Sequence, residues 1–314
     1  MCGLYGFIRY GEKIKDLSDL TNSLAEQSAI RGTDATGIAY CEQRRLKILK
    51  DSKSAYRLNF KHSDEITSLI GHTRHSTQGS EQKNYNNHPF FGNCMNSKFA
   101  LAHNGVLSND KELRKKFRLP NTKIETDSYI AVQLIENQNY LNFKSIKYAA
   151  EHTEGSFSYS LLDDKNNVWL VKGDSPLSII HFPKLKIYVY ASTDEILYKS
   201  LVDYHPLFSE LKKGNFETVN ISEGEILKFS TNGEIERKTF EYSYYYGRDW
   251  WDYGVFPTSF SNKKQYNKNN YLDDLKTVAS YQGYSPDDID ELVNAGFTLD
   301  EIEDYIYCCC GGEI

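Results

Sequence analysis

Four short runs, 156–162, 168–171, 178–182 and 187–191, follow one another with only turn residues between them, and a fifth lies at 224–229. All are rich in β-branched and aromatic residues. Close spacing of such runs points to sheets built largely of antiparallel pairs. Earlier in the chain, Cys2 to Tyr10 alternates as a strand does, and further short β-type runs lie at 37–41, 46–49, 68–73 and 99–103. Leu17, Leu20, Leu24 and Ala25 fall on one helical face, and helices are predicted over Thr126–Glu136 and 142–152. The order of strands, then helices, then strands favours an α+β layered fold over a doubly wound parallel sheet.

With 314 residues and 39% hydrophobic content, the chain can form one large domain with an appendage, or two modest domains. It has no run of about 18 apolar residues, so no membrane span is expected. It has no basic stretch followed by an apolar core at its start, so no signal peptide is expected. Six cysteines (Cys2, Cys41, Cys94, Cys308, Cys309, Cys310) make no regular extracellular framework, which favours a reduced, cytoplasmic setting.

The net charge of −6 is unevenly spread: 271–314 holds eleven acidic residues and one lysine, leaving 32 acidic and 36 basic residues in 1–270. No basic cluster is dense enough to argue for nucleic acid. Composition shifts near 240. The stretch 242–254 is dense in tyrosine and tryptophan and 261–270 is polar, so 241–270 reads as a linker. Beyond it, Ser285-Pro286-Asp287-Asp288 carries an N-cap residue, a first-turn proline and an acid at the third helical position. Ile289, Leu292 and Val293 follow as an apolar face, and Gly296 is placed to end the helix. Thr298-Leu299-Asp300-Glu301 repeats the capping pattern. Residues 271–314 are therefore expected to form a small acidic helical module.

The first three residues are Met1-Cys2-Gly3. Initiator methionine is normally removed before a small residue, which would place a thiol and a free α-amine on Cys2. Their reference pKa values are roughly 8.5 and roughly 7.7–8.0, so one residue would carry both nucleophile and base near neutral pH.

Three segments give that cysteine a setting: Arg31-Gly32-Thr33-Asp34-Ala35-Thr36-Gly37, Gly71-His72-Thr73-Arg74-His75-Ser76-Thr77-Gln78-Gly79 and Ala102-His103-Asn104-Gly105. Asn87-His88-Pro89 and Glu125-Thr126-Asp127 add to them. In order and spacing these resemble the class II glutamine amidotransferases, whose glutaminase domain is familiar from glucosamine-6-phosphate synthase and amidophosphoribosyltransferase. The resemblance covers about residues 2–240. It implies a four-layer αββα N-terminal nucleophile hydrolase sandwich, here with a small C-terminal helical appendage.

The resemblance also implies roles. Cys2 attacks the side-chain amide carbon of glutamine, and the Cys2 amine takes the thiol proton and returns it to departing ammonia. The Asn104 side-chain amide and the Gly105 backbone N–H hold the oxyanion. Arg74 grips the substrate α-carboxylate with its planar fork, Thr77 adds a hydrogen bond near Arg74, and Asp127 holds the α-ammonium. Arg31 helps to order the nucleophile or is structural only. His88 and His103 are site-wall or structural residues, and His75 is a supporting one. Taken alone, Asn104-Gly105 also reads as a hairpin turn, and Asp127 as an ordinary acid in the first turn of a helix. Two positions depart from the pattern: His75 stands where an aromatic is often seen, and Gln78 where glucosamine-6-phosphate synthase has a histidine.

No cofactor or metal is called for. Cys308-Cys309-Cys310 are too close together to wrap one tetrahedral ion. About 75 residues follow position 240, too few for a sugar isomerase or phosphoribosyltransferase domain, and no Ser-Gly-Gly-x-Asp-type ATP loop is present. The leading expectation is a stand-alone glutaminase that passes ammonia to a separate protein partner, with the acidic module as a docking element or a stabilising cap. Two alternatives stay open: hydrolysis of another γ-glutamyl amide, and a non-catalytic regulatory protein on the same fold. Oligomeric state is not legible.

Overall fold

The computed structural model describes residues 2–43, 45–242, 285–295 and 297–299, together with 272, 276 and 302. The chain divides into two compact units, Met1–Tyr246 and Gly247–Ile314. The expected linker over 241–270 and Cys308–Cys310 lie almost wholly outside the described residues.

The first unit contains thirteen described strands: β1 (Gly3–Arg9), β2 (Ala35–Glu42), β3 (Arg45–Asp51), β4 (Ser68–Arg74), β5 (Phe90–Asn93), β6 (Lys98–Leu107), β7 (Gly155–Asp163), β8 (Val168–Lys172), β9 (Ser178–Phe182), β10 (Ile187–Ala191), β11 (Glu217–Thr218), β12 (Glu225–Phe229) and β13 (Ile235–Thr239). Its described helices are α1 (Leu17–Ser28), α2 (Asp110–Lys116), α3 (Tyr129–Asn137), α4 (Phe143–His152), α5 (Asp194–Val202) and α6 (His205–Lys212). One sheet runs β11-β9-β10-β1-β4-β2-β3 and the other β13-β12-β8-β7-β6-β5. Each described pairing in both sheets is antiparallel.

Three apolar layers hold the sheets and helices together. Tyr5 and Phe7 on one face of β1 pack with Leu17, Leu20 and Leu24 of α1 and with Leu197 and Leu201 of α5. Ile8 on the opposite face joins Ile70, Ala100, Leu162 and Leu170 between the sheets. Phe157, Tyr159 and Leu161 of β7 meet Ile130, Leu134 and Ile146 of α3 and α4. The result is the expected helix–sheet–sheet–helix sandwich, in which period-two alternation sends successive residues to different layers. Leu17, Leu20 and Leu24 are fully buried. Removing such a side chain from water contributes about 1.5–3 kcal/mol, so the 3-and-4 spacing of α1 is sufficient to dock it.

The expected strands and helices occur with shifted ends. α3 starts at Tyr129, not Thr126, which leaves Asp127 just ahead of the helix. β6 extends beyond His103 to Leu107, so Asn104-Gly105 lies within a strand and not in a hairpin turn. β5, α2, α5, α6, β11 and β13 were not anticipated. α5 carried a readable start signal, since the Thr193 side chain accepts the Ile196 N–H.

In the second unit α7 (Pro286–Asn294) has the reciprocal capping box read from the sequence, with Ser285 and Asp288 each bonded to the other's backbone. Ile289 and Ile302 are buried, with Leu272, Leu292, Val293 and Leu299 packed against them. Gly296 and most of the repeated capping pattern fall outside the described residues. No helix among the described residues is long and apolar enough to cross a membrane.

Candidate active site

β1 is the central strand of its sheet, between β10 and β4. Cys2 therefore stands at the edge of a fixed platform. Gly3 pairs with Thr73, which brings Cys2 beside the point where β4 ends. There Cys2 Sγ accepts the His75 backbone N–H at 3.4 Å and lies 3.6 Å from the His75 carbonyl oxygen. The Arg31 Nε–H donates to the Cys2 carbonyl at 2.8 Å, fixing the Cys2 backbone. Burial pushes the Cys2 thiol pKa up; the His75 N–H and the Arg74 charge oppose this, and Asp127 reinforces it. Burial thus outweighs the stabilising contacts, and a thiol in this position needs a base.

Arg74 is the last residue of β4 and almost fully buried. Its Nη2 donates to the carbonyls of Gln78 and Gly79, each at 2.7 Å, and its Nη1 donates to Asn87 Oδ1 at 2.7 Å. The fork expected to face the substrate is thus already engaged with the 75–80 loop. A carboxylate must displace the two carbonyls or use the remaining Nη1 and Nε hydrogens. Burial lowers the Arg74 pKa, while Cys2, Glu81, Asp34 and Asp127 act to raise it. Thr77 is exposed in the same loop, and the loop's bonds to Arg74 come from backbone carbonyls. The His75 side chain also points outward, 3.9 Å from Asp34 at closest approach, while Asp34 Oδ2 accepts the Ser76 N–H at 2.7 Å.

The proposed oxyanion donors lie on β6 of the second sheet. Asn104 is buried, and its Nδ2 has no hydrogen-bond partner among the described residues. A buried amide donor left unpaired costs about 1–3 kcal/mol. Gly105 has φ +135°, and a Cβ there would lie 2.0 Å from the Ser156 carbonyl oxygen. Only glycine can hold the strand in that shape. Asp127 Oδ2 accepts the Leu107 N–H at 2.6 Å, and Ser128 Oγ lies 3.4 Å from Asp127 Oδ1.

Three buried histidines cluster across the two sheets. His72 Nε2 is 2.9 Å from the His103 carbonyl, His103 Nδ1 is 2.8 Å from Ser128 Oγ, and His88 stacks on His72 with ring centroids 4.0 Å apart. Burial lowers all three pKa values, that of His72 to about 3 and that of His88 well below its usual value. Burial therefore favours the uncharged imidazole at all three positions. Among the described residues no cluster of His, Cys, Asp and Glu is arranged to hold a metal ion.

The structure thus brings Cys2, Arg31, Arg74 and His75 together, with Asp127 in electrostatic range of Cys2 and Arg74. Sequence reasoning did not single out Asn87, although it lay in a noted motif, and gave no sign of the Gln78 and Gly79 carbonyls. Backbone acceptors have no residue-type signature.

The sequence model of a glutamine amidotransferase domain matches residues 72–199, a stretch that starts after Cys2. The glutamine–fructose-6-phosphate aminotransferase (isomerizing) of Staphylococcus epidermidis is 34% identical over 189 residues, covering 57% of this chain and 30% of that protein. Its counterpart in Halalkalibacterium halodurans is 30% identical over 188 residues, with the same coverage. The chain therefore spans less than a third of the length of these relatives. Among solved structures, glutamine phosphoribosylpyrophosphate amidotransferase from B. subtilis matches with a TM-score of 0.60 over 77% of this chain and 50% of its own, at 20% identity, a likeness of fold.

Proposed function

We propose that the chain, part of which matches a glutamine amidotransferase domain, works as a class II enzyme and hydrolyses the side-chain amide of glutamine to glutamate and ammonia. The observation that carries this reading is the buried, unpartnered Asn104 Nδ2 in the Asn-Gly pair of β6, next to His103, whose carbonyl lies 2.9 Å from His72 Nε2 on β4. Removal of Met1 frees the Cys2 amine. That amine takes the thiol proton, and the sulfur forms a bond to the amide carbon. The carbonyl π electrons move to oxygen, where Asn104 Nδ2 and the Gly105 N–H stabilise the charge. As the tetrahedral centre collapses, the C–N bond breaks and the ammonium on Cys2 returns its proton to the leaving nitrogen. Water, deprotonated by the same amine, then attacks the thioester and releases glutamate. Arg74 and Asp127 supply opposite charges for the α-carboxylate and α-ammonium.

The ammonia goes, in this proposal, to an acceptor on a separate polypeptide. The test is glutamate and ammonia release by the purified chain, with Cys2→Ala as the control. Equimolar products that vanish in the variant support the reading. Full activity in Cys2→Ala, or faster cleavage of an N-substituted γ-glutamyl amide than of glutamine, replaces it.

A further inference from the structure

Lys50, on β3, lies outside every motif that carries the chemistry. Its Nζ donates to the carbonyl of Asn87 at 2.5 Å and to that of Pro89 at 3.2 Å, and sits 5.1 Å from the Phe90 ring centroid. Its own carbonyl accepts the Asn84 Nδ2–H at 2.7 Å. One residue thus ties down both ends of the 84–90 segment. No carboxylate pairs with this ammonium among the described residues, and Arg74 repels it. Burial, with Arg74, lowers its pKa to about 8. A cation held in that setting works against stability, so its bonds to the segment must compensate.

The segment matters because of Asn87. That side chain is fully buried, and its Oδ1 accepts from Arg74 Nη1 at 2.7 Å. Its Nδ2 is spent on the Glu81 carbonyl and Asn84 Oδ1, at 2.8 and 3.1 Å, so the amide cannot turn away from Arg74. The last glycine of the Arg31–Gly37 motif serves the same arrangement. Gly37 pairs with Lys50 across β2 and β3, and a Cβ there would lie 2.2 Å from the His88 carbonyl and 2.8 Å from Lys50 Cβ. The bare backbone at 37 lets the 87–89 stretch settle on the sheet within reach of Lys50.

We infer that Lys50 is a positioning residue for glutamine binding: it fixes the Asn87 backbone, and Asn87 aims the Arg74 guanidinium at the substrate α-carboxylate. The inference rests on the glutaminase reading above. Because Arg74 would hold the carboxylate in ground and transition states alike, disturbing its aim should raise KM and leave kcat nearly unchanged.

The experiment measures glutamine kinetics and glutamate binding by calorimetry for the wild type, Lys50→Met, Lys50→Arg, Asn87→Ala and the Lys50→Met/Asn87→Ala double variant. Wild-type ammonia release checks the underlying reading first. Lys50→Met keeps the aliphatic stem over Phe90 and should raise KM and the glutamate Kd about tenfold, the scale of one lost charged hydrogen bond. Lys50→Arg should recover most of the loss. The double variant should be no worse than Asn87→Ala alone, since both act on Arg74 through one side chain. If Lys50→Met fails to fold, Lys50→Gln replaces it in the same cycle. An unchanged KM in a folded variant, a fall in kcat at constant KM, or additive effects in the cycle would each overturn the inference.

Discussion

The Asp127 carboxylate accepts the Leu107 backbone N–H at 2.6 Å, two residues beyond Gly105 on the same strand. The acid proposed to hold the substrate ammonium therefore also pins the strand that carries the proposed oxyanion donors. In the proposed reaction, substrate recognition and transition-state stabilisation would share one bond.

Asp127→Asn and Asp127→Ala should consequently differ in kind. Asparagine keeps an oxygen for the Leu107 N–H and loses only the charge, so KM for glutamine should rise with kcat largely kept. Alanine releases β6 as well, so kcat should fall too. Steady-state kinetics on the two variants separate these outcomes; equal kcat losses in both would show that the Leu107 bond does not position the strand.

Asn104→Ala should lower kcat by about 10²–10³ with little change in KM, as expected for a donor used chiefly in the transition state. Its effect on stability should be small, because the deleted Nδ2 has no partner among the described residues. Thermal unfolding alongside kinetics checks this. A large fall in Tm with proportionate loss of activity would make Asn104 a structural residue.

The sequence made the platform legible more readily than its closure. Alternation in Cys2–Tyr10 and the 3-and-4 spacing of Leu17, Leu20 and Leu24 are local properties, and both became the layers they implied. The continuation of β6 through Asn104-Gly105 was not local: Asn-Gly favours turns, and cross-strand pairing with Phe157 and Ser158 overrides that preference. The engagement of Arg74 by two backbone carbonyls, and the reach of Lys50 to Asn87, depend on how a loop returns over a sheet edge. No spacing in the chain encodes either one.

The buried histidines predict how the fold responds to acid. The His72 pKa falls to about 3 on folding, and that of His88 falls well below 6.5, both mainly through burial. An unfolded histidine takes up a proton near pH 6.5. Below that pH and above the folded values, the unfolded chain binds more protons, so stability must fall as pH drops through this window. Each such histidine contributes up to about 1.4 kcal/mol per pH unit to the slope. Urea unfolding of His88→Leu between pH 7 and 4 should show a shallower decline than the wild type. A parallel pair of curves would mean that His88 does not bind its extra proton on unfolding.

The nucleophile gives the sharpest test, because burial pushes the Cys2 thiol pKa up despite the His75 N–H and the Arg74 charge. At neutral pH the sulfur is mostly protonated and cannot attack unaided. While Met1 is attached, the Cys2 nitrogen is an amide and no base; once Met1 is removed, it becomes an amine with a pKa of roughly 7.7–8.0 in the unperturbed case. Protein that retains Met1 should therefore bind glutamate normally but release almost no ammonia, and removal of Met1 should restore turnover. For the processed form, kcat/KM should rise with pH until the amine is unprotonated. Intact-mass spectrometry of active and inactive fractions, with ammonia release measured on each, decides the matter: full turnover from a fraction that retains Met1 would exclude the Cys2 amine as the base.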